Sequence, residues 1–142
     1  MNLIDPKSND GIVNRSVRTW LRLEAFAVLV LALVLYRVTA APWWLFFALL
    51  LMPDLSLLAF LFNPAIGSRV YNTVHSYALP IALAAAVFIT NHKAALPYLL
   101  IWTAHVAMDR ALGYGLKYPE AFGRTHLGLL GKRPDTPDPL PD

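Results

Sequence analysis

Apolar positions along this chain come in long, nearly continuous runs broken by short polar or proline-containing punctuation, with little of the alternation that marks half-buried strands. Residues 1–20 are polar. An apolar run then covers 21–39, and its ~19 residues at 1.5 Å each suffice to cross a hydrocarbon core of about 30 Å. Ala41-Pro42 interrupts it. A second run covers 43–62, opened by Trp43 and Trp44 as interfacial anchors and kinked midway by Pro53. Asn63-Pro64-Ala65-Ile66-Gly67 reads as a tight turn, 70–90 as a third run containing Pro80, and Asn91-His92-Lys93 as a second turn. The fourth run, 94–112, ends at Gly113-Tyr114-Gly115. The pattern predicts an all-α polytopic membrane protein. It has a cytoplasmic segment at 1–20, a four-transmembrane-helix bundle at 21–112, an interfacial tail motif at 113–131 and a disordered Pro- and Asp-rich end at 132–142.

Composition agrees with a bilayer solvent: 57% of the 142 residues are hydrophobic and 15% charged, with a mean hydropathy of +0.49. The polar ends are too short for a second core. The absence of cysteine excludes thiolate chemistry, disulfides and Cys-based zinc sites, so any metal must be held by His, Asp, Glu or Asn. Residues 25–35 also read as a signal-peptide h-region, with Val38-Thr39-Ala40 before Ala41 as the cleavage site. Against it stand the 20-residue polar leader and Glu24. The net charge of +3 comes from scattered residues with no basic stripe, which argues against nucleic acid. Lys7, Arg15, Arg18, Arg22, Arg69, Arg110, Lys117, Arg124, Lys132 and Arg133 fall on one side of the four-span threading, and only Arg37 and Lys93 on the other. That asymmetry predicts an N-in, C-in topology. No internal repeat of a transporter type is present.

Ionisable residues inside a membrane are costly and point to function. Here they converge towards the cytoplasmic side: Glu24 on the first helix, Asp54 on the second, His75 on the third, and His105 with Asp109 on the fourth. The i, i+4 spacing of His105 and Asp109 puts both on one helix face. His75 and Asn72 share a face of the third helix, and His126 in the tail could fold back. Two histidines and carboxylates suit zinc or non-haem iron, with His75, His105, Asp109 and Asp54 as ligands and Glu24 or His126 as catalytic assistants. The alternative is an ion-paired layer in which Asp54, Asp109 and Glu24 meet Arg110, Arg22 and the histidines to brace the bundle, and a proton or ion relay is a third. His92 reads as a solvated turn residue. Gly113 to Pro119 offers either a lipid-phosphate cradle using backbone amides and Lys117, or a helix cap followed by tyrosine anchors.

Several stretches resemble a known family: Pro53-Asp54-Leu55-Ser56, Tyr71-Asn72-Thr73-Val74-His75-Ser76-Tyr77, His105-Val106-Ala107-Met108-Asp109-Arg110 through Tyr118-Pro119, and Thr125-His126-Leu127-Gly128-Leu129. Over about residues 20–130 the chain is similar to the bacterial membrane family of domain of unknown function 4260, although Ala25 stands where a glycine is expected. The resemblance implies a small multi-span protein and no established activity. In layout alone, the His and carboxylate layer is similar to membrane-embedded metal-dependent hydrolases of lipids. The reading is a membrane protein with a divalent metal acting on a lipid or amphiphile. The alternative is a non-enzymatic subunit or scaffold with a membrane-protein partner.

Overall fold

In the computed structural model, residues 15–118, 121–125 and 128–129 are described. Helix α1 (Arg15–Val38) packs along α5 (Leu96–Leu112). On α1 the buried positions are Ala25, Ala32 and Tyr36, spaced seven and four apart on one stripe. Ala32 and Tyr36 share one buried cluster with Ile101 and Ala104 of α5. Small side chains on both helices let the backbones approach closely. Beyond them, Tyr36 lies edge-on to Phe46 and donates its hydroxyl to the Pro42 carbonyl at 2.9 Å.

The second run folds as two kinds of helix. Helix α2 (Trp43–Leu49) gives way to a 3₁₀ segment, Met52–Leu61. Pro53 is the cause: it has no N–H to donate, and its ring clashes with the carbonyl four residues back. The chain tightens so that Asp54 N–H donates to Leu51 O at 3.1 Å. A 3₁₀ run of ten residues is unusually long.

Helix α3 (Pro64–Val74) corrects the expected turn at 63–67, which is instead the start of this helix. Asn63 is its N-cap, accepting from Ile66 N–H at 2.8 Å, and Pro64 fits the first helical position, where no donor is needed. The expected third span is therefore longer and broken. After His75-Ser76-Tyr77 the chain resumes as α4 (Ala78–Ile89), bent by 43° from α3. Pro80 cannot donate to the Ser76 carbonyl, which explains the position of the break. A short 3₁₀ turn (Lys93–Ala95) leads into α5.

Among the described residues, every regular element from Arg15 to Leu112 is helical, but the tail is not. Strands β1 (Lys117–Tyr118), β2 (Ala121–Thr125) and β3 (Gly128–Leu129) form an antiparallel sheet in that order. The expected disordered end at 132–142 and the segment before residue 15 lie outside the described residues. By length and composition, Trp43–Leu61 can cross a membrane, and α3 with α4 meets the same test as one bent span. Helix α5 is shorter, at 17 residues, and α1 carries Arg18, Arg22, Glu24 and Arg37 along its length.

Candidate metal centre

Asp54, His75, His105 and Asp109 come together where the 3₁₀ segment, the end of α3 and the last turns of α5 meet. Pro53 sets the helix type that carries Asp54, and His75 is the C-cap of α3. His105 and Asp109 stand one turn apart on α5. His75 Nε2 lies 3.1 Å from His105 Nε2, 3.5 Å from Asp54 Oδ1 and 3.6 Å from Asp109 Oδ2. His105 Nε2 lies 3.5 Å from Asp54 Oδ1 and 3.7 Å from Asp109 Oδ2. A regular tetrahedron with such edges has its centre about 1.9 to 2.3 Å from each corner, the range of zinc–nitrogen and zinc–oxygen bonds. Five of the six edges thus have ligand-set length, and the sixth, between the two carboxylates, is within 4.8 Å.

The surroundings fix these atoms. The Tyr71 carbonyl can only accept, so the 3.1 Å contact from His75 Nδ1 requires the proton on Nδ1 and turns the Nε2 lone pair of a neutral His75 towards the group. The Tyr71 ring stacks on His75 with centroids 3.8 Å apart. From α5, Trp102 Nε1–H donates to Val74 O at 2.7 Å and Arg110 to His75 O at 3.2 Å, which satisfies carbonyls at the broken end of α3. Gly67 lets α3 lie against the 3₁₀ segment, because a β-carbon there would collide with the ring and backbone of Phe60.

His105 is fully buried, and its Nδ1 has no hydrogen-bond partner among the described residues. His75 is buried as well, whereas the side chains of Asp109 and Asp54 are 16% and 40% exposed. The group therefore opens outward on the Asp54 side.

Lys117, which the sequence placed at the headgroup level, is buried beside this group. The route is a Schellman turn: Gly113, at φ 101°, donates to Arg110 O, and Tyr114 N–H donates to Asp109 O at 2.8 Å. The chain then returns to α3, where Asn72 donates to Lys117 O at 2.9 Å and accepts from Lys117 N–H at 2.8 Å. The ammonium sits 5.0 Å from the Tyr71 ring centre and 5.8 Å from that of Phe60. Burial lowers its pKa below the ordinary lysine value, opposed by the charges of Asp109 and Asp54.

Other expectations are met less well. Asn72 faces the tail and uses both amide atoms on Lys117, so it clamps the chain instead of joining a ligand set. Glu24 is exposed on α1, off the packed stripe, and is not one of the convergent residues. Arg22 donates its Nε to Ala111 O at 2.7 Å, bracing α1 against the end of α5. His92 is an exposed turn residue, as expected. His126 lies outside the described residues.

No curated protein and no solved structure matches this chain. Residues 18–130, which include the four convergent residues and Lys117, match the family described as Domain of unknown function (DUF4260). The chain belongs to that family.

Proposed function

We propose that this chain is a four-span protein of the bacterial inner membrane, with both termini cytoplasmic, that holds a divalent metal at Asp54, His75, His105 and Asp109. The five ligand-to-ligand distances of 3.1 to 3.7 Å carry this reading. A lipid environment is supported by large apolar side chains left exposed along the helices, among them Phe26, Leu31 and Val34 on α1 and Leu58 and Leu61 on the 3₁₀ segment. His105 stands seven residues from the end of α5, about 10 Å along the helix, so the metal would lie just below the cytoplasmic interface.

A metal so placed would act as a Lewis acid and lower the pKa of bound water, supporting hydrolase-like chemistry on a lipid or other amphiphile. Asp54 is the most exposed ligand and the one best placed to yield a corner to water. The test is hydrolysis of a short-chain phospholipid by the purified full chain. Turnover that is lost on chelation, restored by zinc or iron(II), and reduced at least about a hundredfold by Asp54→Asn is expected. Turnover indifferent to chelator would overturn the enzymatic reading.

One observation favours a second reading. Four protein ligands, if all bound, leave no vacant corner on a tetrahedral ion, which is the mark of structural metal sites. The metal would then fasten the 3₁₀ segment, α3 and α5 together in a non-enzymatic subunit. Chelation that lowers the unfolding temperature while no amphiphile turns over would select this reading.

A further inference from the structure

A groove of about 610 Å³ lies between the end of α1, α4 and the beginning of α5, at the end of the helical body away from His105 and Asp109. We infer that it holds one acyl chain of an anionic phospholipid, whose phosphate meets Lys93. This inference rests on the membrane reading above and is independent of the metal.

Helical spacing builds the walls. Leu96, Leu100 and Thr103 line the groove from one face of α5, Ala84 and Phe88 from one face of α4, and Val38 from the last turn of α1. Val38 and Phe88 remain largely exposed, so hydrocarbon is left open to whatever occupies the space. The polar atoms along the walls are already engaged. Thr39 and Thr103 both line the groove, but the hydroxyl of Thr39 donates to Tyr36 O at 2.6 Å and that of Thr103 to Leu99 O at 2.8 Å. Apart from Lys93, the lining therefore offers an occupant apolar contact only.

Depth and charge select the occupant. From Lys93 to Thr103 the groove follows the chain for ten residues, about 15 Å at helical rise, which is half of a hydrocarbon core of about 30 Å. One leaflet's acyl chain has that reach. Lys93 is exposed in the turn that leads into α5, at the depth where the headgroup of such a lipid would lie, and the turn 90–95 contains no acidic residue. The phosphate of an anionic lipid supplies the missing negative charge. A second copy of this chain in the same orientation would not. Arg37 and Lys93 are the charged residues that the four-span threading puts on this side, so a symmetric partner would bring cation against cation.

The full chain reconstituted in dioleoylphosphatidylcholine vesicles tests the inference, with trace phosphatidylglycerol or phosphatidylcholine bearing a nitroxide near the end of one acyl chain. The label immobilised by the protein, read by electron spin resonance, should show a preference of about fivefold for phosphatidylglycerol. Lys93→Gln, at an exposed turn, should bring the two lipids to parity. Ala84→Phe, which fills the groove from α4 with Lys93 still in place, should abolish the same preference. Equal immobilisation of both lipids by the wild type, or an undiminished preference in Lys93→Gln, would overturn the inference. A preference that persists in a folded Ala84→Phe would overturn the groove as its seat and leave Lys93 a surface charge. Crosslinking that finds a dimer broken by Ala84→Phe would give the groove to a second copy and likewise overturn the lipid. Flotation of the vesicles on a density gradient is scored first, so a chain that does not float, which would overturn the membrane reading itself, is recognised separately.

Discussion

The two ends of the helical body solve opposite problems. Where α1 finishes and α2 begins, Tyr36, Trp43 and Phe46 form an aromatic cluster, and Tyr36 satisfies its one polar group on a local carbonyl. A neighbouring groove of about 610 Å³ is lined almost wholly by apolar side chains, with Lys93 its one charged residue. Where α1 begins and α5 finishes, His75, His105 and Lys117 are buried among partners drawn from three separate stretches of chain. The aromatic end is held by dispersion and burial, which tolerate approximate fit. The polar end depends on a few directed contacts, and each unpaired member is costly. The second arrangement is the one on which the proposed metal reading rests.

That contrast can be broken from either side. The largest stability effect belongs to the aromatic end: Tyr36→Ala should cost about 3 to 5 kcal/mol. Chemical unfolding in detergent would show it, with the metal content of the folded fraction unchanged. A concurrent loss of metal would mean that the two ends are not independent. Gly67→Ala should cost about 1 to 3 kcal/mol, because the new methyl pushes the 3₁₀ segment off α3. Since that segment carries Asp54, competition with a chromophoric chelator should show metal affinity falling about tenfold. An unchanged affinity would remove Asp54 from the ligand set. Smallest is Gly113→Ala, at about 1 kcal/mol, from forcing a side chain into the left-handed region that starts the Schellman turn. Its additional effect should fall on the Asn72–Lys117 clamp, seen as faster amide hydrogen exchange at Lys117, with metal content preserved.

Much of the centre was legible in the sequence, and for a physical reason. Ionisable residues are so costly in an apolar run that Asp54, His75, His105 and Asp109 stand out, and threading the runs back and forth brings them to one level. Glu24 met the same criterion and is not among them. The stripe of Ala25, Ala32 and Tyr36 marks the packed face of α1, and Glu24 falls beside it. Helix boundaries were less legible: Asn63-Pro64 is a turn signal and equally a cap followed by a first helical residue, and packing of Gly67 on Phe60 decides for the helix. The 3₁₀ form of the second run was legible only as a kink at Pro53. Lys117 was least legible of all, because its burial depends on Asn72, 45 positions away in sequence. No local pattern encodes that contact. Of the two readings of Gly113 to Pro119, the helix cap is seen in the Schellman turn at Gly113.

X-ray absorption on the purified full chain loaded with zinc tests the central claim most directly. The account expects about one zinc per chain, with two imidazole nitrogens and two carboxylate oxygens at about 2.0 to 2.1 Å, and loss of the bound metal in His105→Ala. A wild-type chain that binds no zinc or iron, or binds it without imidazole in the shell, would contradict it and leave the convergence of Asp54, His75, His105 and Asp109 as a brace within the bundle.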